Sequence, residues 1–417
     1  MNETVVMKFG GTSVADTERI KNAARRIVAQ RENGNKVVAV LSAQGKTTDE
    51  LVRLANAISE RPNPREMDML LSTGERISCA LAAMAISDMG HEAISLSGSQ
   101  AGIVTDTSHT KARILDVRAD RISEALKRDN IVLVAGFQGV SQGENNVTTL
   151  GRGGSDTTAV ALAAAVGADV CEIFTDVDGV FTADPRIVPT ARKLPVVSFE
   201  EMLEMSASGA GVLQLRSIEY ARNHAVRVHC RSSFHEGTGT LVVSEEETME
   251  RPLVTAVTHT TDEARVTIRG VPDHPGVAGE LFTSLAAANV NVDMIIQNEP
   301  LGAPAEMSFT VPQDDLRAAV DSVNGMEGFT DVDSDESIGK VSVIGAGMRS
   351  HPGVAAKVFT VLGAHDINIE MISTSPIKIS CIIPAEKVPD AVRALHDAFE
   401  LGVAEEQPTG DHRPVAP

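Results

Sequence analysis

Tryptophan is absent from the 417 residues, tyrosine occurs once (Tyr220) and phenylalanine eleven times. A chain this poor in aromatics has little with which to stack bases or sugars, so a nucleic-acid or carbohydrate platform is not expected. Cysteine is scarce as well: Cys79, Cys171, Cys230 and Cys381 are scattered, with no CxxC pair. That excludes a disulfide framework and a thiolate zinc site, and Cys79 and Cys171, set in apolar runs, read as buried thiols. No stretch approaches the roughly 18 uninterrupted apolar residues of a membrane span. The opening Met1-Asn2-Glu3-Thr4 has no basic region of a secretory signal, so a cytoplasmic protein without membrane attachment is expected. Positive charge is the minority sign: 37 Lys and Arg against 57 Asp and Glu leave a net charge of −20, which disfavours nucleic acid and acidic membranes as partners. The eleven histidines show no HExxH or related spacing, so no protein-built metal site is expected.

What is present is an apolar content of 42% and a length that exceeds one ordinary core, pointing to two or three domains. The first half alternates β-branched runs with Ala-rich helical stretches. Val5-Val6-Met7 reads as a strand, and Gly10-Gly11-Thr12-Ser13 leads into a helix with Ile20, Ala23, Ala24, Ile27 and Val28 on one face. Val37 to Leu41 is a second strand, followed by a helix with Leu51, Leu54, Ala55 and Ile58; Ile131-Val132-Leu133-Val134 is a continuous apolar run, as a buried parallel strand should be. This pattern predicts an α/β sheet with helices on both faces.

The acidic run Ser244-Glu245-Glu246-Glu247 reads as a linker. Beyond it His274-Pro275-Gly276-Val277-Ala278 recurs 77 residues later as His351-Pro352-Gly353-Val354-Ala355, and twelve of the twenty-two positions from 274 to 295 are identical in the second copy. Such self-similarity marks a duplicated unit of loop, helix and strand. Domains are therefore expected at 1–247, 248–337 and 338–405, with a disordered tail over 406–417.

Two glycine-rich segments could carry chemistry. In Lys8-Phe9-Gly10-Gly11-Thr12-Ser13, backbone N–H groups at a strand end can approach phosphate oxygens while Lys8 neutralises a transferring phosphoryl group. The same residues also suit an ordinary strand-to-helix turn. Gly151-Arg152-Gly153-Gly154-Ser155-Asp156 precedes an Ala-rich helix from Ala159 to Val166 and forms a candidate anion nest, with Ser155 or Asp156 as helix cap. Glu75, opening a helix after Ser72-Thr73-Gly74, could meet an ammonium or merely favour the helix dipole. Thr175-Asp176-Val177-Asp178-Gly179 suits a nucleotide or a plain polar turn. Gly45-Lys46-Thr47 is not a Walker A end, because Val40 stands where its first glycine belongs. Gly345-Ala346-Gly347 lacks the third glycine of a dinucleotide fingerprint, with Ser350 in its place.

Taken together, KFGGTS, SAQGKTTDEL, EMDMLLSTGERIS, TTLGRGGSDTTAVALAAA, VCEIFTDVDGVFTADPRIVP and SFEEMLEMSASGA resemble, in order, the kinase half of the aspartate kinases of actinobacterial type. HPGVA, NVNVDMIIQN, VSVIGAGMRSHPGV and NIEMISTSPIKIS resemble their paired ACT domains. The resemblance implies a three-layer amino-acid-kinase sheet between helices, two α+β ferredoxin-like ACT domains, and transfer of the ATP γ-phosphoryl group to the β-carboxylate of L-aspartate, opening lysine, threonine and methionine synthesis. It also implies roles. Lys8 acts on the transferring group with Asp156 organising it, and Gly10, Gly11 and Ser13 surround the phosphates. Thr48, Glu75, Arg152, Gly153, Gly154 and Ser155 hold aspartate; Thr175, Asp176, Phe181, Arg186, Gly211 and Val212 belong to the nucleotide side. Mg2+ arrives with ATP. Lysine or threonine as effector would touch Asp273, His274, Pro275, Gly276, Val277, Ala278, Asn291, Val292, Asp293 and Gln297 in the first copy, and Ala355, Asn368, Ile369 and Ser375 in the second. A homo-oligomer joined through ACT domains is implied, and Met249 stands where related genes start a separate regulatory subunit.

The chain departs from the family pattern in three places. Phe181 replaces a tyrosine, Gly211 replaces a lysine in a Gly-(Ala/Ser)-Lys-Val segment, and Glu299-Pro300 follow Gln297-Asn298 where relatives carry small polar residues. Two other readings stay open at this level: a kinase of another small carboxylate or carbamate, and a kinase-like sensor without turnover.

Overall fold

The computed structural model describes residues 3–248, 252–272, 274–298, 305–326 and 328–403. It divides into two compact units. Met1–Val180, Lys193–Ala207 and Gly211–Glu250 form the first, and Phe181–Arg192, Ser208–Ala210 and Arg251–Pro417 the second. Two short pieces inside the expected 1–247 domain thus cluster with the half that carries the repeat.

In the first unit an eight-stranded sheet runs in the order Val196–Ser198, Thr240–Val243, Val228–Ser232, Val170–Thr175, Thr4–Phe9, Lys36–Leu41, Ile131–Ala135, Ala93–Leu96. The pairings from Val228–Ser232 to Ala93–Leu96 are all parallel, and the central strands are buried on both faces, which is why they read as unbroken β-branched runs. Helix Thr17–Glu32 is capped by Asp16, whose carboxylate accepts from Arg19 N at 2.9 Å. It buries Ile20, Ala23, Ala24, Ile27 and Val28, the face its 3.6-residue spacing predicts. Helix Thr47–Ile58 differs: none of its residues is buried, and Leu54 and Ile58 are exposed. A smaller sheet of Ile114–Val117, Ile103–Thr105, Gln138–Ser141 and Val147–Thr149 lies within the same unit.

Helices Pro64–Leu71 and Thr73–Asp88 follow one another through Ser72. Against the expectation of no membrane-length stretch, Pro64–Asp88 is long and apolar enough to cross a bilayer by length and composition. Its inner face carries Asp68, Glu75 and Ser78 together with Cys79, Ala82 and Ile86, and the last three belong to the core beneath the sheet, so it is built as a core helix.

In the second unit the repeat is visible residue by residue. Helices Val277–Ala287 and Val354–Ala364 occupy equivalent positions 77 apart. Each follows a glycine in the left-handed region (Gly276 φ 107°, Gly353 φ 103°), a conformation that Cβ-bearing residues resist. Both helices bury the same three positions, Val277, Leu281 and Leu285 matching Val354, Val358 and Leu362. One four-stranded sheet contains Ile295–Asn298, Ala305–Pro312, Glu263–Val271 and Asp331–Asp335. The other contains Ala256–Thr260, Ile338–Ile344, Lys378–Pro384 and Met371–Ser375. Ala256–Thr260, expected in the first copy, therefore pairs with Ile338–Ile344 of the second, and the first copy is an insertion between them. The tail, Met249 and the Glu299-Pro300 loop lie outside the described residues.

Candidate active site

The C-terminal end of Thr4–Phe9 delivers Lys8, whose Nζ lies 2.6 Å from Asp156 Oδ1, with side chains only 11% and 8% exposed. The contact is one of charge, since Oδ1 receives no aligned hydrogen bond. Helix Gly154–Val166 starts earlier than the sequence suggested and takes Gly153 (φ 68°) as its N-terminal flank. Ser155 and Asp156 are thus first-turn residues and not caps, and the Asp156 carboxylate is free to hold Lys8. A Cβ on Gly10 would stand 3.4 Å from Lys8 Nζ, so glycine there keeps space beside the ammonium. Gly11 packs on the next turn, where a Cβ would meet Ala43 O at 3.0 Å and Gly45 O at 3.2 Å. Ser13 Oγ lies 2.5 Å from Ser233 Oγ.

Ala43 also joins this turn to Glu75, whose Oε1 accepts from Ala43 N at 3.3 Å. Glu75 is buried and its Oε2 has no partner. Burial pushes its carboxyl up to about 7, against the smaller opposing pull of its own and Ala43's backbone N–H groups and of Arg76. A buried carboxylate oxygen of this kind is suited to accept from an ammonium. Thr48 is half-buried in the first turn of its helix. Arg152 is exposed and forms no ion pair among the described residues, leaving its planar fork for a carboxylate.

Among the residues expected on the nucleotide side, Thr175 Oγ1 donates to Asp176 Oδ1 at 3.1 Å. Gly211 and Val212 belong to the first unit, and a Cβ on Gly211 would meet no atom within 4 Å. Phe181 and Arg186 belong to the second unit. Arg186 is exposed and committed to Asp184, donating from Nε at 3.0 and 3.1 Å and from Nη2 at 2.7 Å. Those bonds hold the Asp184 carboxyl below its ordinary value. All four cysteines are free and buried, and burial pushes their thiols up, so none is poised as a nucleophile.

In the second unit Asp273 lies outside the described residues, whereas His274, Pro275, Gly276 and Ala278 are exposed and Val277 is buried. Asn291 and Gln297 are exposed and Val292 packs on the first copy's core. Asp293 is already engaged: Lys340 Nζ donates to its Oδ2 and to Glu263 Oε1, each at 2.5 Å. In the second copy a cavity of about 390 Å³ is lined by residues that include His351 to Ala355 and Thr374 to Pro376. Ala355 and Ser375 line it, but Asn368 and Ile369 do not.

Sequence reading missed Asp68, His109, Arg216 and Ser233. Asp68 left one signal: it shares the buried face of its helix with Leu71, three residues on, where an apolar residue would be expected.

The profile of the amino acid kinase family matches residues 3–232, and that of the ACT domain matches residues 266–325 and 341–399. The chain is 54% identical over 409 residues to the aspartokinase of Mycobacterium tuberculosis (strain ATCC 25618 / H37Rv), covering 96% of this chain and 97% of that one. Over 409 residues it is 51% identical to the aspartokinase of Corynebacterium glutamicum, with the same coverage. Among solved structures, Escherichia coli aspartokinase III in complex with aspartate and ADP (R-state) superposes with a TM-score of 0.83 at 27% identity, covering 95% of this chain and 99% of that one. With a kinase profile over more than half its length and aspartokinase relatives along nearly all of it, the chain belongs to the aspartokinase family of amino acid kinases, with a duplicated ACT module following its kinase unit.

Proposed function

We propose that the chain transfers the γ-phosphoryl group of ATP to the β-carboxylate of L-aspartate, giving 4-phospho-L-aspartate and ADP, under control of an amino acid bound at its ACT pair. The observation that carries the reading is the Lys8–Asp156 contact at the end of the central parallel strand, with Gly10 leaving room beside the ammonium. Arg152 pairs with the α-carboxylate of aspartate, Glu75 takes its ammonium, and Thr48 and Ser155 supply hydroxyl contacts. An ionised β-carboxylate oxygen attacks the γ-phosphorus. The new O–P bond forms as the bond to the bridging oxygen breaks, and that oxygen leaves on ADP. No general base is needed, because the nucleophile carries no proton at neutral pH. Lys8 gains contact as charge builds on the transferring oxygens, while Asp156 keeps the ammonium aimed.

The donors around Lys8 are an ammonium, backbone N–H groups and the Ser13 hydroxyl, a set that fits phosphate oxygens better than a divalent cation. Magnesium would therefore be held by the ATP phosphates and would add charge neutralisation there. Thr175, Asp176, Phe181, Arg186, Gly211 and Val212 are assigned to the nucleotide side, and lysine or threonine to the ACT loops. Exposed Ile295 and Ile372, 77 residues apart on the free edge strands of the two sheets, support assembly of copies through these edges. A cytoplasmic setting and a separately started regulatory subunit from Met249 complete the proposal.

Purified protein given ATP, magnesium, aspartate and hydroxylamine should form aspartyl hydroxamate. Absence of product alongside tight lysine or threonine binding would instead identify a sensor without turnover. Light scattering during chromatography should give a mass above 44.0 kDa; a monomer would remove the edge-pairing proposal.

A further inference from the structure

Asp68 is fully buried in helix Pro64–Leu71, yet nothing in the proposed chemistry uses it. Its Oδ1 accepts from Thr149 Oγ1 at 2.5 Å and from Thr110 N at 3.0 Å; its Oδ2 accepts from His109 Nδ1 at 2.6 Å and from Thr110 N at 3.2 Å. A carboxylate only accepts, so the Nδ1 of His109 carries the proton in this pair. Thr149 ends strand Val147–Thr149 and is followed directly by Leu150, Gly151 and Arg152. On the same segment Arg216, from helix Leu215–Asn223, donates Nη1 to Leu150 O at 2.6 Å and Nη2 to Ala112 O at 3.0 Å. Ala112 N closes the circuit by donating to Thr149 O at 2.9 Å. Gly151 then turns with φ 78°, close enough that a Cβ would lie 3.2 Å from Thr110 O.

Two buried or half-buried charges of opposite sign, distant in sequence, thus grip the residues immediately before Arg152. Burying a charge is costly unless its partners are fixed, and here the partners are the approach to the substrate loop. The helix that carries Asp68 continues through Ser72 into the helix that carries Glu75. That junction is tied again to the small sheet, where Gln138 donates from Nε2 to Ser72 O at 2.9 Å and accepts from Arg76 Nε at 3.1 Å. We propose that Asp68 and Arg216 are positioning residues that fix the spacing between the Arg152 loop and the Glu75 helix, and thereby set the grip on the α-ammonium and α-carboxylate of the amino-acid acceptor. The proposal rests on Arg152 and Glu75 holding those two α-substituents.

The test is steady-state kinetics of the full chain carrying Asp68→Asn, Arg216→Lys or Arg216→Ala, with melting temperatures measured in parallel. For Asp68→Asn the KM for aspartate should rise about tenfold or more, as expected when a binding group is displaced by a fraction of an ångström, with the KM for ATP within about twofold. Affinity for glutamate, which carries the same two α-groups, should fall by a similar factor, leaving the preference for aspartate within about twofold, and Arg216→Lys should retain more aspartate affinity than Arg216→Ala. Parallel rises in both KM values, or a lower melting temperature with an unchanged aspartate KM, would reduce the pair to general structural support and overturn the proposal. Arg152→Gln separates the two layers. If it leaves the aspartate KM unchanged, the site reading itself fails; if it raises KM while Asp68→Asn and Arg216→Ala do not, only the clamp fails. Should Asp68→Asn not fold, His109→Gln and the Arg216 variants carry the same comparison.

Discussion

Each unit of the molecule encloses a lysine against carboxylates, and the two lysines are used in opposite ways. Lys340 is 1% exposed and held between two carboxylates, Glu263 and Asp293, both at 2.5 Å. It joins the second ACT copy to the first, beside a small apolar cluster of Met294, Ile338, Met371 and Ile382. Burial alone would lower its basicity, but the two carboxylates outweigh that and hold it above the ordinary lysine value. Lys8 has one carboxylate partner, in a contact without aligned hydrogen bonding, and a glycine, Gly10, beside its ammonium. A charge with one partner and a glycine beside it can be lent to a ligand, whereas one fixed between two carboxylates holds structure.

Substitutions should separate the two uses. Lys8→Met should cost at least about a thousandfold in kcat, or about 4 kcal/mol of transition-state stabilisation, beyond the stability lost by leaving the buried Asp156 carboxylate without its partner. A loss of stability in place of turnover would make Lys8 a second structural lysine. Lys340→Met should do the reverse. Two carboxylates left facing each other should destabilise the sensor unit by about 3 kcal/mol, seen by chemical denaturation, while basal kcat is retained.

Glu75 extends the contrast to carboxylates. Its carboxyl is raised from 4.5 to about 7 chiefly by burial, so the folded state keeps a proton that the unfolded chain has already released. Stability therefore falls as pH rises from about 4.5 to 7 and stays low above that. Glu75→Gln should remove the penalty, raising stability at pH 8 by up to about 3 kcal/mol and leaving it unchanged at pH 4. The same substitution should weaken aspartate. In the unmodified chain, aspartate affinity should improve as pH rises towards 7 and then level off, as measured by calorimetry. An aspartate affinity flat between pH 5.5 and 7.5 would remove Glu75 from ammonium recognition. The smallest effect is expected at Gly211, where open space receives a side chain without clash. Gly211→Lys should lower the KM for ATP by about three- to tenfold, or roughly 1 kcal/mol, if the added cation nears the phosphates. No change would place the position away from the nucleotide.

Legibility in the sequence followed how local each feature is. The buried face of Thr17–Glu32 and the matched helices of the repeat depend on periodicity and on glycine at one position, and both were readable. The apolar residues of Thr47–Ile58 misled, because a hydrophobic stripe says that a face could be buried and not that anything covers it. The start of Gly154–Val166 misled in a second way: Ser155 and Asp156 look like caps, but the left-handed Gly153 begins the helix and frees Asp156 for Lys8.

By itself, then, the sequence determined the α/β and repeat architecture, the family, and the identity of Lys8, Arg152 and Asp156 as candidates. These rest on side-chain type and spacing along the chain. Tertiary structure alone decided that Asp68 and Arg216 grip the approach to the Arg152 loop, that Lys340 is held between two carboxylates, and that Ala256–Thr260 completes the sheet of the second copy and not the first. Each of these joins residues tens to more than a hundred positions apart, and a charge declares its partner only when the fold has brought the two together.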